Sequence, residues 1–343
     1  MNSRQRTLAA LRGQAHDRIP VAQHNFIFCI RHCGIKVRDY VRNPELAAKV
    51  LAQTAYDFGY DLIAIDFDTC TLVEAMGSEL FFPEDEPARV KKFALQSLRE
   101  ADKLKVADPY KDGRMPLWLE TCQRLRELVG DEKAILGRAD QGPFGALFLL
   151  RNSEAFMMDL INEEPRYIYE CLDKCLESGV RFARAMLESG ADLTAIGDSA
   201  AGQSLISPRL YAQYAQPYER RYKEALGPER LLGLHICGKS DQIVEGMVQT
   251  GADLLELDHY NDLSETFDKV AGRTCVWGNL DTGADMVRGD YASVFAKSRA
   301  LLEMARRKRA RFILAPGCMV NANAKPECVQ AMTDAAAEFG WWD

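Results

Sequence analysis

The chain alternates short apolar, β-rich runs with longer stretches of helical periodicity, eight times over its 343 residues. Parallel strands cannot be joined by tight hairpins, so a helix between successive strands is typical of a parallel sheet. Eight such units predict an α/β fold, a single (β/α)8 TIM barrel, with an open doubly wound sheet as the alternative. The predicted strands are 18–24, 61–66, 134–140, 192–198, 231–237, 252–258, 274–280 and 311–318.

One interval between predicted strands is far longer than the others, and it separates the second strand from the third. It runs over residues 67–133 and contains the segment Phe81-Phe82-Pro83-Glu84-Asp85-Glu86-Pro87 together with charged helical material. Long excursions of this kind often cover a functional site. We therefore predict an inserted, lid-like segment over the barrel mouth. No Pro/Gly/Ser-rich linker divides the chain, so residues 1–343 are expected to form one domain.

Charge and hydropathy exclude two classes of partner. The chain has 43 basic and 50 acidic residues, and its densest basic run, residues 306–311, ends a helical stretch, so we expect no nucleic-acid binding. The longest apolar run, near residues 144–150, is far below the roughly 20 residues that span a bilayer. The first residues carry no apolar signal block, so a cytoplasmic protein with ten reduced cysteines is expected.

The residues His235 and Cys237 form the sharpest local motif, within the fifth predicted strand. Side chains two positions apart in a strand point to the same face, so the imidazole and the thiol project together. Imidazole and thiolate groups are good zinc ligands. The alternative is a chance spacing in which the cysteine packs as a small apolar residue.

The other cysteines are candidates for a further metal ligand. Cys318 is preferred because it ends the eighth predicted strand, on the inferred site face, and follows a Pro-Gly bend. The pair Cys29 and Cys33, near His32, forms an alternative cluster. A set of three protein ligands would leave the fourth tetrahedral position open, which is typical of a catalytic zinc.

Residues 233–240 also match the phosphate-loop pattern G-x-x-x-x-G-K-[ST], and Glu256 and Asp258 lie on an acidic strand of the type that holds Mg²⁺. A phosphate loop should begin after its strand ends, because its backbone N–H groups surround the anion. Here Gly233 lies inside the apolar run, which argues against nucleotide binding. The sequence contains no G-x-G-x-x-G motif, so a Rossmann cofactor site has no support.

Polar, ligand-type residues lie at the end of each predicted strand or one position before it. In a parallel barrel these ends share the face that carries the active site. We therefore expect Asp198, Asp140 and Asp258 to line one mouth as catalytic carboxylates, with Asp198 the best placed because Gly197 allows close approach of a ligand. The alternative is that each carboxylate caps a helix. The strand ends are His24, Asp66, Asp140, Asp198, Cys237, Asp258, Asn279 and Cys318.

Taken in order over nearly the whole chain, these motifs resemble the uroporphyrinogen decarboxylase superfamily, and within it the zinc-dependent methylcobamide methyltransferases. The resemblance implies a (β/α)8 barrel, zinc on His235, Cys237 and Cys318, and methyl transfer with a corrinoid cofactor such as cobalamin. The best-known members use coenzyme M as the acceptor. The segments that carry the resemblance are Ala9-Ala10-Leu11-Arg12-Gly13, Asp17-Arg18-Ile19-Pro20-Val21, Asp140-Gln141-Gly142-Pro143-Phe144, Gly197-Asp198-Ser199-Ala200-Ala201-Gly202, Ile206-Ser207-Pro208, Tyr218, Gly278-Asn279-Leu280-Asp281 and Ala315-Pro316-Gly317-Cys318.

Two departures from the superfamily pattern bear on the substrate. The decarboxylases resemble one another in an Arg-Gln-Ala-Gly-Arg tract after the first strand, whereas residues 24–31 of this chain contain Arg31 as their one arginine. A multiply anionic porphyrinogen would lack counter-charges there, which argues against decarboxylation. After Cys318 the family continues toward a Thr-Pro-Leu segment, but this chain reads Met319-Val320-Asn321, which argues against coenzyme M.

The expected function is that of a zinc-dependent methyltransferase that moves a methyl group between a corrinoid and a small substrate such as a thiol. Two thiolates and a neutral imidazole balance the charge of Zn²⁺, so a bound substrate thiolate would stay nucleophilic. The chain lacks the Asp-x-His-x-x-Gly signature of corrinoid-carrying modules, so the cobalamin is expected on a partner protein or free. The alternatives are a demethylase of a methyl donor such as an aromatic methyl ether, and a uroporphyrinogen decarboxylase-like lyase.

Overall fold

The strands lie close to where the sequence predicts them. A computed structural model describes residues 1–342. Residues 79–92 add a short antiparallel hairpin to the predicted set. The strands are β1 (Ala22–Gln23), β2 (Leu62–Ile65), β3 (Glu79–Phe81), β4 (Arg89–Lys92), β5 (Ala134–Gln141), β6 (Leu193–Gly197), β7 (Leu232–Ile236), β8 (Leu254–Leu257), β9 (Cys275–Leu280) and β10 (Phe312–Pro316).

The parallel strands form a ring. Over residues 1–342, eight strands make one sheet in the order β1-β2-β5-β6-β7-β8-β9-β10. A parallel bridge between Val21 and Leu314 joins the first strand to the last. The sheet is therefore nearly closed, which confirms the predicted (β/α)8 barrel. The open doubly wound sheet is wrong, because its two edge strands would lie far apart.

The helices lie outside the ring and follow the predicted periodicity. Helix Pro44–Phe58 carries a signal at each end: the Asn43 side chain accepts from the Leu46 N–H at its start, and Gly59 ends it at a φ of 70°. Among residues 1–342, no helix has both the length and the apolarity to cross a bilayer. The other helical segments are Ser3–Arg12, Phe26–His32, Val37–Tyr40, Thr71–Ala75, Leu98–Lys103, Met115–Val129, Pro143–Arg151, Ser153–Asn162, Pro165–Glu188, Ser199–Ala201, Pro208–Leu210, Tyr211–Ala215, Gln216–Leu226, Val244–Gln249, Leu263–Val270, Tyr291–Arg307 and Pro326–Phe339.

The interior of the barrel changes from apolar to polar along its axis. Alternate residues of each strand face inward, and the lower layers are small or apolar, with Leu11 of the first helix packed among them. The same alternation brings polar residues into the upper layer. Apolar inward residues include Ala22, Leu62, Ala64, Ala134, Leu136, Leu193, Ala195, Leu254, Trp277, Ile313 and Ala315. Every second residue after these, toward the carboxyl ends of the strands, also faces inward. These residues are His24, Asp66, Arg138, Asp140, Gly197, Glu256 and Asp258.

The predicted insertion has two different halves. Helix Met115–Val129 packs against Pro44–Phe58 and belongs to the barrel wall. The preceding residues contain the β3–β4 hairpin, and Pro87, in the loop that joins its strands, reaches the cavity at the barrel mouth. A lid role for residues 67–133 stays a prediction.

Candidate metal centre

Strand β7 presents an imidazole and a thiol side by side at the mouth of the barrel. Nε2 of His235 lies 2.8 Å from Sγ of Cys237. The strand is apolar and buried on both faces up to this point, so its two polar side chains sit at the edge of the core. The two residues share a face because they are two positions apart, as the sequence predicts.

Cys318 reaches the same point from β10, although β8 and β9 lie between β10 and β7. Its Sγ lies 3.2 Å from Sγ of Cys237 and 3.7 Å from Nε2 of His235. The bend at Gly317 makes this possible, since a Cβ there would lie 2.7 Å from the main-chain nitrogen of His259. The structure thus brings together His235, Cys237 and Cys318, with ligand atoms all within 4.8 Å of one another.

The orientation of the His235 ring is set by the neighbouring strand. His235 pairs with Glu256 in the β7–β8 register, and its Nδ1 lies 3.2 Å from the Glu256 carbonyl oxygen. A carbonyl oxygen only accepts, so Nδ1 carries the proton and Nε2 presents its lone pair to the two sulfurs. Histidines that bind metals are held in this way by a second partner.

A buried chain of charges lies beneath the three side chains. Nη2 of Arg138 lies 3.0 Å and 2.8 Å from the two carboxylate oxygens of Glu256. Nε of Arg138 lies 3.3 Å from Oδ2 of Asp66, which in turn lies 2.6 Å from Nε2 of His24. All four side chains are at most 9% exposed, so this layer holds its charges in a medium of low polarity.

Burial and charge pull the pKa values of this layer in different directions. Burial raises the pKa of Asp66 to about 7 although Arg138 opposes the shift. Burial would raise the pKa of Glu256, but Arg138, His235 and His24 together outweigh burial and the pKa is lowered. For His24, burial and the nearby guanidinium both lower the pKa, so the ring is neutral at physiological pH.

The thiol pKa values of Cys237 and Cys318 are shifted in opposite directions. The hydrogen bond from Cys318 lowers the pKa of the Cys237 thiol, whereas the pKa of Cys318 is raised by the same hydrogen bond and by burial. For His235, burial lowers the pKa, but the hydrogen bond to Cys318 and the charges of Cys318 and Glu256 together outweigh burial, and the pKa is raised. The arrangement therefore favours one thiolate and places donor atoms around one point.

The three candidate ligands border a cavity of about 290 Å³ that opens at the barrel mouth. One part of its wall carries the ionisable residues of the upper layer. Another part is apolar and includes Phe26 and Pro87. The lining residues are His24, Phe26, Asp66, Asp68, Thr69, Pro87, Arg138, Asp140, Gln141, Gly197, Ser199, His235, Cys237, Cys318 and Met319.

The three predicted carboxylates occupy different positions. Asp140 lines the cavity, and its Oδ2 also accepts from the Leu72 N–H at 2.7 Å. Burial raises the pKa of Asp140 to about 8. Asp258 is buried and is not one of the residues that line the cavity; its Oδ2 accepts from the Gly238 N–H at 2.8 Å and its Oδ1 lies 2.6 Å from Nδ1 of His259.

The position of Asp198 differs from the sequence-based expectation that its side chain lines the mouth. Gly197 faces inward, so the next side chain faces the helices, and Asp198 is fully buried there. Its Oδ1 accepts from the Gly145 N–H in the first turn of helix Pro143–Arg151. The capping alternative therefore describes Asp198, which lies behind the cavity wall rather than in the mouth.

The alternative motifs do not form sites. The N–H groups of Gly238 and Ser240, which a phosphate loop would direct at an anion, donate to Asp258 and Asn261. Nε2 of His32 pairs with Asp57 instead of joining the nearby cysteines, and Sγ of Cys33 lies 3.9 Å from the Thr54 hydroxyl. Within residues 1–342, His235, Cys237 and Cys318 are the one set with metal-binding geometry.

Sequence reasoning missed Arg138 and the role of Glu256. Each is a charged residue inside an otherwise apolar strand, in phase with an inward-facing strand-end residue. Arg138 is two positions before Asp140, and Glu256 is two positions before Asp258. This two-residue spacing could have shown that both charges face the barrel interior, where each needs a partner on another strand.

Similarities to known proteins extend over the whole chain. The sequence profile of the family described as uroporphyrinogen decarboxylase (URO-D) matches residues 2–339. A methylcobamide:CoM methyltransferase, MtaA, from Methanosarcina barkeri is 29% identical over 341 residues, which cover 97% of each chain. A uroporphyrinogen decarboxylase from a Synechococcus species is 27% identical over 296 residues, 80% of this chain and 81% of the relative. A solved structure, a methyltransferase from Methanosarcina mazei, is similar with a TM-score of 0.91, 26% identity and 99% coverage of both chains.

Proposed function

This chain belongs to the uroporphyrinogen decarboxylase family, and from that membership we propose that it is a zinc-dependent methyltransferase. It moves a methyl group between a corrinoid carried by a partner protein and a small substrate such as a thiol. The observation that carries this proposal is the convergence of His235, Cys237 and Cys318 at one cavity. Similarity to methylcobamide methyltransferases over almost the full length of both chains supports the corrinoid-linked reaction.

The donor atoms suit Zn²⁺. Two sulfurs and one imidazole nitrogen lie 2.8, 3.2 and 3.7 Å from one another. These separations allow one ion to contact all three atoms at the usual zinc bond lengths of about 2.0–2.3 Å. Three protein ligands leave a position for a substrate atom on the cavity side.

The metal and the residues around it have different roles in the proposed reaction. When bound, Zn²⁺ would favour the thiolate form of a coordinated substrate thiol while leaving its sulfur nucleophilic. Glu256 fixes the His235 tautomer through its main-chain carbonyl, and Arg138 holds the Glu256 carboxylate. These contacts keep the donor atoms in place without movement during the reaction.

Methyl transfer balances without a further reactant. A methylated corrinoid would supply the methyl group and keep the electron pair of its carbon–cobalt bond, while the substrate sulfur gains the bond to the methyl carbon. The thiol proton leaves to solvent. In the demethylase alternative, a methyl ether or thioether would give its methyl group to a reduced corrinoid, and its oxygen or sulfur would leave as an anion that takes up a proton from solvent.

The corrinoid partner is proposed to approach from the open side of the mouth. A depression of about 410 Å³ adjoins the cavity there and shares Thr69, Gln141, Ser199 and Cys237 with it. Its outer part is apolar and includes the exposed Leu205. Residues 67–133 are proposed to act as the lid that excludes water when both substrates are bound. A cytoplasmic location is part of the proposal, since free thiols at all ten cysteines suit a reducing compartment.

Porphyrinogen decarboxylation fits the mouth poorly. Arg31, the one arginine among residues 24–31, lies in helix Phe26–His32 and pairs with Asp85 on the hairpin loop. It therefore does not supply the cluster of positive charge that a multiply anionic porphyrinogen needs.

The test is an absorbance assay of methylcobalamin with zinc-loaded protein and a panel of thiols. We expect demethylation of the cobalamin by wild type and by Cys33→Ala, and none by Cys237→Ala. Decarboxylation of uroporphyrinogen that survives Cys237→Ala, with no cobalamin turnover, would overturn the proposal. Turnover with a methyl ether but with no thiol would move the function to the demethylase.

A further inference from the structure

The charged groups of the cavity wall are unevenly balanced. Carboxylates enter it from Asp66, Asp68 and Asp140, and Glu256 lies directly behind it. Among the lining residues described in the range 1–342, Arg138 is the one arginine or lysine. The carboxyl groups of the wall therefore outnumber its one guanidinium.

The Arg138 guanidinium is already committed to protein carboxylates. It contacts both oxygens of Glu256 and lies 3.3 Å from Asp66. Its exposed side-chain fraction is 4%, so it presents little surface to a bound molecule. A substrate anion would have to compete with two carboxylates for one buried cation.

A second buried arginine, beside Asp68, does not change this balance. Arg114 lies behind Asp68 and is held by it and by Glu74, whose carboxylate lies 2.8 Å from Nε of Arg114. Protonation of Asp66 or Asp140 would remove negative charge from the wall, but it would add no positive charge. The wall therefore has no surplus cation for an anionic ligand in either protonation state.

The rest of the cavity selects for small size and low charge. Its volume of about 290 Å³ is near the lower limit for small-molecule sites. Phe26, Pro87 and Met319 form its apolar part, while Asp140 and Gln141 offer hydrogen-bonding groups. An anionic tail would lose its hydration here without gaining a counter-ion, whereas a hydroxyl or ammonium group would find acceptors.

We propose, on the basis of the methyl-transfer function above, that the small substrate is a compact thiol whose tail is neutral or cationic, and that the cavity rejects anionic tails. The hydrogen-bonding end of the tail faces Asp140 and the sulfur faces His235, Cys237 and Cys318. The charge of the wall, rather than its shape, sets this preference.

The test uses three thiols that differ only in the group at the second carbon: 2-mercaptoethanol, cysteamine and 2-mercaptoethanesulfonate. The protein is loaded with Co²⁺, and the sulfur-to-cobalt charge-transfer band reports thiol binding independently of methyl transfer. Dissociation constants are expressed per thiolate, so that differences in thiol acidity cancel. We expect the sulfonate to bind at least about tenfold more weakly than the alcohol or the amine.

A matched pair of variants tests charge directly. Thr69 lines the cavity and is exposed, so Thr69→Lys adds a cation at the mouth and Thr69→Gln adds similar length without charge. We expect the lysine variant to bind the sulfonate about tenfold more tightly than the glutamine variant, and the two variants to bind 2-mercaptoethanol with equal affinity. Equal binding of the sulfonate and the alcohol by wild type would overturn the tail preference alone. Absence of a band with every thiol would overturn the thiol function and the tail preference together.

Discussion

Arg138 and Glu256 form an ion pair across the interior of the barrel, with Nη2 of the arginine 3.0 Å and 2.8 Å from the two carboxylate oxygens. Both side chains are at most 4% exposed. Glu256 also accepts from His235 through its main-chain oxygen, so the pair connects β5 to the candidate metal centre on β7.

Breaking this pair is expected to destabilise the fold. Glu256→Ala leaves a buried guanidinium without its main partner, at a cost of about 3–5 kcal/mol in the free energy of unfolding. The double variant Arg138→Met/Glu256→Leu removes both charges and should recover much of that loss. Urea denaturation provides the measurement. The control is Glu245→Ala, which breaks an exposed pair with Arg273 and should cost at most about 1 kcal/mol.

Zinc content should depend on the cysteines at the mouth. We expect about one zinc per wild-type chain after zinc is supplied, and loss of that zinc in Cys237→Ala and Cys318→Ala while the barrel stays folded. Cys33→Ala is the matched control, because Cys33 is also half-buried but lies near Thr54. Elemental analysis with circular dichroism measures both properties. A zinc-free wild-type protein would contradict the assignment.

The bend before Cys318 should matter as much as a ligand. An alanine at Gly317 would place its Cβ 2.7 Å from the His259 nitrogen and 2.8 Å from the Asp258 Cα, both in the main chain. Gly317→Ala should therefore displace Cys318 and lower zinc affinity by about tenfold or more. Competition with a chelator gives the affinity. Gly283→Ala is the control, since the nearest atom there is a side-chain oxygen at 3.4 Å, and its affinity should equal that of wild type.

The free energy of unfolding should decrease as pH rises, because of Asp140. Its pKa in the fold is about 8, far above the value of about 3.9 for an unfolded chain. The protonated carboxyl therefore stabilises the fold below pH ~4, and this stabilisation is lost as pH rises from about 4 to about 8. Relative to Asp140→Asn, which tolerates the positive φ at this position, wild type should lose up to about 1.4 kcal/mol per pH unit.

Asp290→Asn provides the control for this pH series. The Ser293 N–H lowers the pKa of Asp290, an exposed cap residue, so its carboxylate stays ionised over the same range. The difference in unfolding free energy between wild type and Asp290→Asn should thus be level from pH ~4 to pH ~8. A level difference for Asp140→Asn as well would contradict the buried, protonated carboxyl.

A lid role predicts that substrates protect the hairpin from protease. Arg89, Lys91 and Lys92 are exposed trypsin sites on β4 or beside it, and Pro87 of the adjoining loop lines the cavity. Limited trypsin digestion of zinc-loaded protein should slow at these sites when cobalamin and 2-mercaptoethanol are added together. Cleavage after Arg309, in the exposed turn that follows helix Tyr291–Arg307, serves as the internal reference. Equal rates at the hairpin with and without the substrates would count against a lid.

The sequence predicted the barrel well because its pattern is repeated and local. Each strand is a short apolar run, and helix Pro44–Phe58 carries both of its end signals in adjacent residues. The pairing of His235 with Cys237 was also predictable, since it follows from strand alternation alone. Cys318 needed the resemblance, because nothing local shows that the bend at Gly317 carries it past two intervening strands.

The carboxylates show where one-dimensional reasoning fails. Asp198 and Asp140 both end predicted strands, but Asp198 is out of phase with the inward residues of β6 and caps a helix instead. The partnership of Arg138 with Glu256 joins positions 118 residues apart in the chain. A sequence can show that a buried charge needs a partner, but the partner's identity depends on which strands face each other across the barrel.

Strand β10 both closes the ring, through Leu314 against Val21, and carries Cys318 to the other two ligands. During synthesis, a chain that has emerged only as far as β9 holds His235 and Cys237 but neither the third ligand nor a closed barrel. Tight binding of the metal therefore requires the last strand. Its cysteine, Cys318, is 81 residues after Cys237. A metal ion bound by all three residues would therefore form only in a complete barrel. It would also link β7 and β10, two strands that share no hydrogen bonds.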